Sequence, residues 1–307
     1  MDMSDKKQNI YCQAIFNRGS GLGGLLFPWA RCKIFSLQHK IPMITSNWTS
    51  HSWGRMLYDW RKRTYFGMLH KHPNEVSGII KWQLKLFAQN VKEPEKILSI
   101  DEFLPNTNKP TVIVFKGHAD YFAQLIGWEK LLLQSLIEIT PFYLRKKTDA
   151  LGDIPIGISV RRGDFKNATS PEDYYLKGAI RTPLRWYIET LHLIRRWLGF
   201  PAKAYVSTDA SPHEIRELLR QENTELIDSF YPIDDLLTLA KAKIYLAAGG
   251  STFSCWVAFF GNMPTVVFPG QPLTWFKLKS RDGVFLGEFF PDFPSEEFAK
   301  QIKSLKI

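Results

Sequence analysis

Ile156-Gly157-Ile158-Ser159-Val160-Arg161-Arg162-Gly163-Asp164-Phe165 joins an apolar, β-branched run to two arginines, a glycine and a carboxylate. The apolar part predicts a buried strand, and the polar part places ligand chemistry at its carboxyl end. Guanidinium groups stay charged and match phosphate oxygens two at a time, each charge-assisted bond being worth roughly 1.5–3 kcal/mol. Gly163 permits a tight turn, and Asp164 can orient an arginine or accept from a base or sugar. A solvated charged turn is the plain alternative, so the surrounding segments decide.

Downstream, strand and helix signals alternate: strands over residues 155–160, 203–207, 224–228, 243–247 and 265–268, with helices over 183–198, 212–221, 234–241 and 252–260 between them. Alternation of this kind predicts a doubly wound parallel sheet, whose ligands sit beyond the carboxyl ends of its strands. Polar residues collect there. Arg161, Arg162 and Asp164 follow one strand, Ser207-Thr208-Asp209 end another, and Gly249-Gly250-Ser251-Thr252 follow a third. In that last segment Ser251 or Thr252 is placed as an N-cap, and a helix start with free N–H groups suits a phosphate. Of Asp234 and Asp235, one is expected to cap the helix that follows and the other to face the ligand.

Upstream, strands are expected over residues 10–16, 41–44 and 111–115, and helices over 25–38 and 128–139. Gly19-Ser20-Gly21-Leu22-Gly23-Gly24 lacks the dinucleotide spacing and a Walker lysine. It reads either as a backbone approach to a ligand, through Gly21 and Gly23, or as a strand-to-helix turn. His118 lies at a predicted strand end and is either structural or a proton acceptor. The polar stretch 145–153 is the expected linker, giving domains over 1–150 and 151–307.

Composition narrows the partners. A chain of 307 residues with 45% hydrophobic and 23% charged residues excludes general disorder. The 40 Lys+Arg against 30 Asp+Glu, a formal charge of +10, favour anionic ligands. The basic residues are scattered in short pairs, which argues against nucleic acid. Cys12, Cys32 and Cys255 stand far apart in apolar contexts and read as buried reduced thiols. Neither the histidines nor the carboxylates show metal-ligand spacing, so no metal is expected. No span long enough for a membrane helix and no apolar leader occur, which predicts a soluble, cytoplasmic protein. The aromatic-basic stretch 53–65 could touch a bilayer surface, a peripheral association, but core aromatics beside solvated arginines are its simpler reading.

Taken together, the segments resemble the inverting α1,2-fucosyltransferases of glycosyltransferase family eleven, relatives of the α1,6- and protein O-fucosyltransferases. Ser159-Val160-Arg161-Arg162-Gly163-Asp164 resembles the family's His-x-Arg-Arg-x-Asp, and Gly250-Ser251-Thr252-Phe253-Ser254-Cys255-Trp256 its Asn-Ser-Ser-Phe-Ser-Trp-Trp. Asp235-Leu236-Leu237 is similar to its Asp-Leu element, and Tyr205-Val206-Ser207-Thr208-Asp209 to a strand ending in Ser-Asp. The glycine-rich start and residues 117–122 look like the acceptor-domain counterparts. Ser159 in place of histidine and Gly250 in place of asparagine depart from the pattern.

The resemblance implies an α/β, GT-B-like fold of two Rossmann-like domains facing a cleft, with the donor on the second. It also implies transfer of L-fucose from GDP-fucose to a glycan hydroxyl with inversion, without metal or cofactor, in surface-polysaccharide synthesis. Arg161 and Arg162 would clamp the β-phosphate. Ser159, Asp209, Gly250, Ser251 and Thr252 would line the donor site, and Asp164 and Asp235 would read guanine or ribose. Asp164, His118, Glu172 and Asp173 are the candidates for general base. Another nucleotide sugar, or an inactive relative that binds glycans or nucleotides, are the alternatives.

Overall fold

The computed structural model describes residues 9–17, 19–48, 65–97 and 109–307. The basic-aromatic stretch 53–65, apart from Tyr65, lies outside the described residues. The chain divides into two compact units, Met1–Phe142 and Tyr143–Ile307.

The first unit holds a parallel sheet of four strands, β1 (Ile10–Ile15), β2 (Met43–Ile44), β3 (Gln89–Lys92) and β4 (Thr111–Lys116), in the order β2-β1-β4-β3. Helices α1 (Leu22–His39), α2 (Gly78–Phe87) and α3 (Glu129–Ile139) accompany it. β4 is buried along Thr111–Phe115 and reads as a continuous apolar run, as expected of a strand covered on both faces. β3 escaped sequence reading because Gln-Asn-Val-Lys carries no hydrophobic period; it is an exposed edge whose polar side chains discourage further pairing.

A buried ion pair organises this unit. Arg31, on α1 and fully inaccessible, donates from Nε to Glu93 Oε2 at 2.7 Å and from Nη2 to Glu93 Oε1 at 3.0 Å. The same Nη2 reaches the carbonyls of Lys116 at 2.9 Å and Gly117 at 3.2 Å, so one side chain ties α1 to the turn after β4. Glu93 Oε1 also accepts from the Lys116 N–H at 3.1 Å.

The second unit holds a six-stranded parallel sheet: β5 (Ile154–Val160), β6 (Ala204–Thr208), β7 (Thr224–Leu226), β8 (Ala242–Leu246), β9 (Thr265–Val267) and β10 (Leu286–Glu288), in the order β10-β9-β8-β5-β6-β7. The chain lays down β5, β6 and β7 outward in one direction, then returns to place β8, β9 and β10 on the other side. This is the Rossmann order, with its reversal between β5 and β8.

Helix α4 (Phe142–Ala150) begins the unit, and α5 (Asp173–Leu176), α6 (Leu184–Leu198), α7 (Arg216–Leu219), α8 (Pro232–Leu239), α9 (Thr252–Gly261) and α10 (Glu296–Ser304) follow. Trp186, Tyr187, Leu191 and Ile194 of α6 meet Ile156, Ile158 and Val160 of β5 and Phe298 and Ile302 of α10 in one core. Gly199, at φ 80°, closes α6 in the left-handed conformation that glycine adopts without strain.

Two expectations change. The stretch read as a linker overlaps α4, where Lys147 pairs with Asp228 at 2.6 Å and Asp149 with Lys241 at 2.5 Å. The helix expected over 212–221 contracts to Arg216–Leu219, because Glu214 Oε2 accepts from the Ser211 N–H at 3.0 Å and holds a preceding turn.

Removing one partner of the Arg31–Glu93 pair leaves an uncompensated buried charge, and Arg31→Met should destabilise the first unit by about 3–5 kcal/mol. Urea denaturation followed by circular dichroism measures this; a midpoint equal to the parent's would mean the pair contributes nothing.

Candidate active site

The carboxyl ends of β8, β5 and β6 lie side by side, as the pairings Ile158↔Leu246 and Val160↔Thr208 require. The three polar segments singled out in the sequence therefore share one edge of the sheet. Asp209, directly after β6, accepts the Arg162 backbone N–H at 2.7 Å through Oδ1 and pairs with Arg161 Nη1 at 2.8 Å through Oδ2. Arg161 Nη2 donates to Asp164 Oδ1 at 2.6 Å, and its guanidinium lies 5.3 Å from the Phe165 ring centroid. The charge of Arg161 is thus met by two carboxylates.

Arg162 differs. Its guanidinium is half-buried and enters no ion pair among the described residues. Burial lowers its pKa, with Tyr187 opposing that effect, Arg181 adding to it, and Glu214 and Asp209 opposing it in turn. Arg181 is held nearby, donating from Nε to the carbonyls of Arg162 at 3.0 Å and Phe165 at 2.8 Å. Sequence reading missed Arg181. Its only signal was its place just before Thr182-Pro183, where α6 begins. Two cations are thus held near each other, with Arg161 paired to carboxylates beside them, an arrangement whose charge and donors are complementary to an anion.

Ser159 is buried, its hydroxyl 2.5 Å from that of Tyr245 on β8; burial pushes the Tyr245 phenol pKa far up. Ser251 is the N-cap of α9, its Oγ accepting from the Ser254 N–H at 3.4 Å, and Thr252 opens the first turn half-exposed. Gly250 adopts φ +66°, and a Cβ there would sit 1.6 Å from the Gly178 carbonyl oxygen. A Cβ on Gly249 would meet Gln271 at 2.1 Å. Buried Gln271 in turn donates to the Ile180 carbonyl at 2.7 Å and accepts from Thr182 Oγ1 at 2.8 Å. Gln271, also missed in the sequence, thereby joins the loops that follow β5, β8 and β9.

Asp234 caps α8, its Oδ2 accepting from the N–H groups of Phe230 at 3.0 Å and Tyr231 at 3.1 Å; Asp235 is buried beside it. Asp173 pairs with Lys177 at 2.5 Å and accepts from the Thr169 N–H at 2.7 Å. Lys177 first, and Thr169 after it, hold its carboxyl well below the usual carboxylate range, which makes it a weak base. A hydrogen bond from Ser170 likewise lowers the pKa of exposed Glu172.

In the first unit the glycine turn and His118 come together, since β1 and β4 are neighbours. The His118 Nε2 lies 3.0 Å from where a Cβ on Gly24 would stand, and its ring stacks on Tyr121 with centroids 5.7 Å apart. Burial and the nearby Arg31 charge lower its pKa below the ordinary histidine value. Gly21 is the N-cap residue of α1 and Gly23 is buried in its first turn. The Leu22 N–H there donates to Tyr65 Oη at 2.9 Å, so one of the donors at this helix start is already taken. Among the described residues no three His, Cys, Asp or Glu side chains gather as a metal site. The three cysteines are buried and unpaired.

A four-stranded parallel sheet in the first unit and a six-stranded parallel sheet in Rossmann order in the second define an α/β fold. No family model matches the chain, and no curated protein sequence does. Among solved structures it shares its fold with the fucosyltransferase NodZ from Bradyrhizobium, at TM-score 0.50 and 14% identity over 84% of this chain and 96% of that one. NodZ α1,6-fucosyltransferase soaked with GDP-fucose aligns at TM-score 0.49 and 13% identity, over 84% and 94% of the two chains. POFUT1 in complex with GDP aligns at 0.46 and 11%, over 85% and 99%. The fold is the α/β GT-B type of the first of these NodZ structures.

Two outcomes test this geometry. Gly250→Ala combines a left-handed backbone with a clash against a carbonyl and should destabilise by about 3 kcal/mol or more, read as a lowered thermal midpoint. A parent-like midpoint would mean that the Gly178 contact is not formed.

The depressed His118 pKa means that the native chain binds fewer protons than the unfolded one below pH about 6.5. Its contribution is complete above that pH and is lost as pH falls toward the depressed value. His118→Phe should flatten this part of the stability profile, measured by urea midpoints at a series of pH values. An unchanged slope would count against the assignment.

Proposed function

We propose that this chain is a glycosyltransferase that takes its sugar from a nucleotide diphosphate donor, with GDP-L-fucose as the donor and a glycan hydroxyl as the acceptor. The observation that carries the reading is the half-buried Arg162 guanidinium, without an ion pair among the described residues, at the point of strand reversal of a Rossmann sheet. The fold shared with a fucosyltransferase supports the choice of donor.

In this proposal Arg162 and Arg181 stabilise the negative charge that develops on the departing diphosphate, and the first turn of α9 at Ser251 and Thr252 adds backbone donors. Arg161 and Asp209 hold the loop in place. The acceptor oxygen bonds to the anomeric carbon as the bond to the β-phosphate oxygen breaks on the opposite face, so configuration inverts and the nucleoside diphosphate leaves. His118, neutral at physiological pH, and Asp164 are the proposed acceptors for the hydroxyl proton. Positive side chains in place of a cation make the reaction metal-independent, and an α1,2 linkage follows from the motif resemblance.

A panel of GDP, UDP and dTDP in isothermal titration calorimetry, followed by turnover of the matching sugar nucleotides, tests the reading. GDP binding in EDTA together with fucosyl transfer is the expected result. Preference for another base would replace the donor, and tight binding without turnover would make the chain a nucleotide-binding relative.

Arg162→Ala should lower turnover by at least ~10²-fold with little change in thermal midpoint, the scale of losing an anion-stabilising donor. Arg161→Ala should instead lower the midpoint, because it leaves Asp209 and Asp164 facing each other. Equal turnover in parent and Arg162→Ala would remove the mechanism.

A further inference from the structure

Helix α2 of the first unit carries its apolar side outward. Ile79 is 77% exposed, Ile80 53%, Trp82 63%, Leu86 70% and Phe87 72%. At 3.6 residues per turn these five side chains fall on one arc, with exposed Gln83 between Ile79 and Phe87. Leu84, at the margin of that arc, is the helix's one buried residue, packing near Ile44, Val112 and Val114 of the sheet. Lys81 lies on the other side and donates to the Thr45 carbonyl at 2.7 Å and Asn47 Oδ1 at 2.8 Å, which fixes the rotation of the helix. A surface helix in a globular protein normally turns this arc toward the core. An apolar patch left outside marks an interaction surface.

The charges around the arc select the occupant. From Ser77 to Lys92 the chain carries Lys81, Lys85 and Lys92 and no Asp or Glu. Lys85 Nζ lies 5.0 Å from the Trp82 ring centroid, so an ammonium and an indole stand together at the edge of the apolar face. Glu75, the acidic group acting on Lys81, is half-buried, and burial raises its pKa. A second copy of the same face would set lysines against lysines with no carboxylate to meet them. An anionic lipid surface meets both features at once, taking up the apolar arc below the headgroups and the ammonium groups among the phosphates. With ten residues α2 is too short to span a bilayer, and the contact is one of lying on the surface.

We infer that α2 docks the protein onto an anionic membrane face, with Trp82, Leu86, Ile79 and Phe87 inserted and Lys85 at headgroup level. This inference is independent of the proposed transferase activity, because it rests on a surface that the anion site does not use.

The test is flotation of the full chain with vesicles of phosphatidylcholine alone and of phosphatidylcholine with phosphatidylglycerol. The expected result is binding that requires phosphatidylglycerol. Trp82→Ser combined with Leu86→Ser should lower the partition coefficient at least ~10-fold, and Lys85→Gln about fivefold at low salt. All three side chains are exposed, so these variants should keep the parent's circular dichroism spectrum and its GDP affinity. Absence of binding to either vesicle, or binding that the double substitution leaves unchanged, overturns the inference. So does a concentration-dependent dimer in size-exclusion chromatography that the double substitution abolishes, since that would assign the face to a second copy.

Discussion

The carboxylate of Asp209 is the point on which the second unit's polar edge depends. One oxygen takes the backbone N–H of Arg162 and the other takes the guanidinium of Arg161, so the end of β6 fixes the loop leaving β5. Asp164 adds a second carboxylate to Arg161 from within the same loop. The consequence is a division of labour between adjacent arginines. Arg161 is consumed in holding the turn, while Arg162 enters no ion pair among the described residues and sits half-buried, where electrostatic interactions, those with Glu214 and Asp209 included, are stronger than in water.

A second constraint acts from the other side of the reversal point. The left-handed Gly250 presses on the Gly178 carbonyl, Gly249 lies against Gln271, and Gln271 bonds to Ile180 and Thr182. Loops following three different strands are thus locked through close backbone approaches that only glycine allows. Ordering such loops costs conformational entropy during folding, and a ligand that arrives afterwards does not have to supply it. The same packing explains why a side chain as large as asparagine has no room at position 250. Any contact such a side chain would make must come here from the neighbouring Ser251 and Thr252 or from backbone groups.

Much of this was legible in the sequence. The strand β5 stood out because its apolar run ends abruptly in charge, and the order of strand and helix signals was enough to forecast a parallel sheet with its ligands at the carboxyl ends. Asp209 and Ser251 were visible for the same reason. The edge strands β3 and β10 were not, since Gln-Asn-Val-Lys and Leu-Gly-Glu have neither length nor alternation. Arg181 and Gln271 were hidden because their importance comes from loops that approach each other only in three dimensions. Ser159 shows the opposite case: its place in the motif drew attention, and its hydroxyl turned out to be spent on Tyr245 inside the sheet.

Arginine serves two ends in this chain, and the residue type alone does not separate them. Arg31 is inaccessible and meets a bidentate carboxylate and two carbonyls; Arg195 donates to the carbonyls of Ala202 and Asn223. Each binds distant segments together, and hydrogen bonds from Nε and Nη2 offset the cost of burying the guanidinium, although Nη1 of Arg31 is buried without a partner among the described residues. Arg162 is half-buried without such partners, and Arg181 uses its Nε on two carbonyls close beside it. Desolvating a cation in that way is unfavourable, more so with a second guanidinium near it, and the charges of Glu214 and Asp209 oppose that effect without forming an ion pair with Arg162. An anion arriving between them would relieve the repulsion and supply further acceptors, which is the physical basis for proposing a phosphate there.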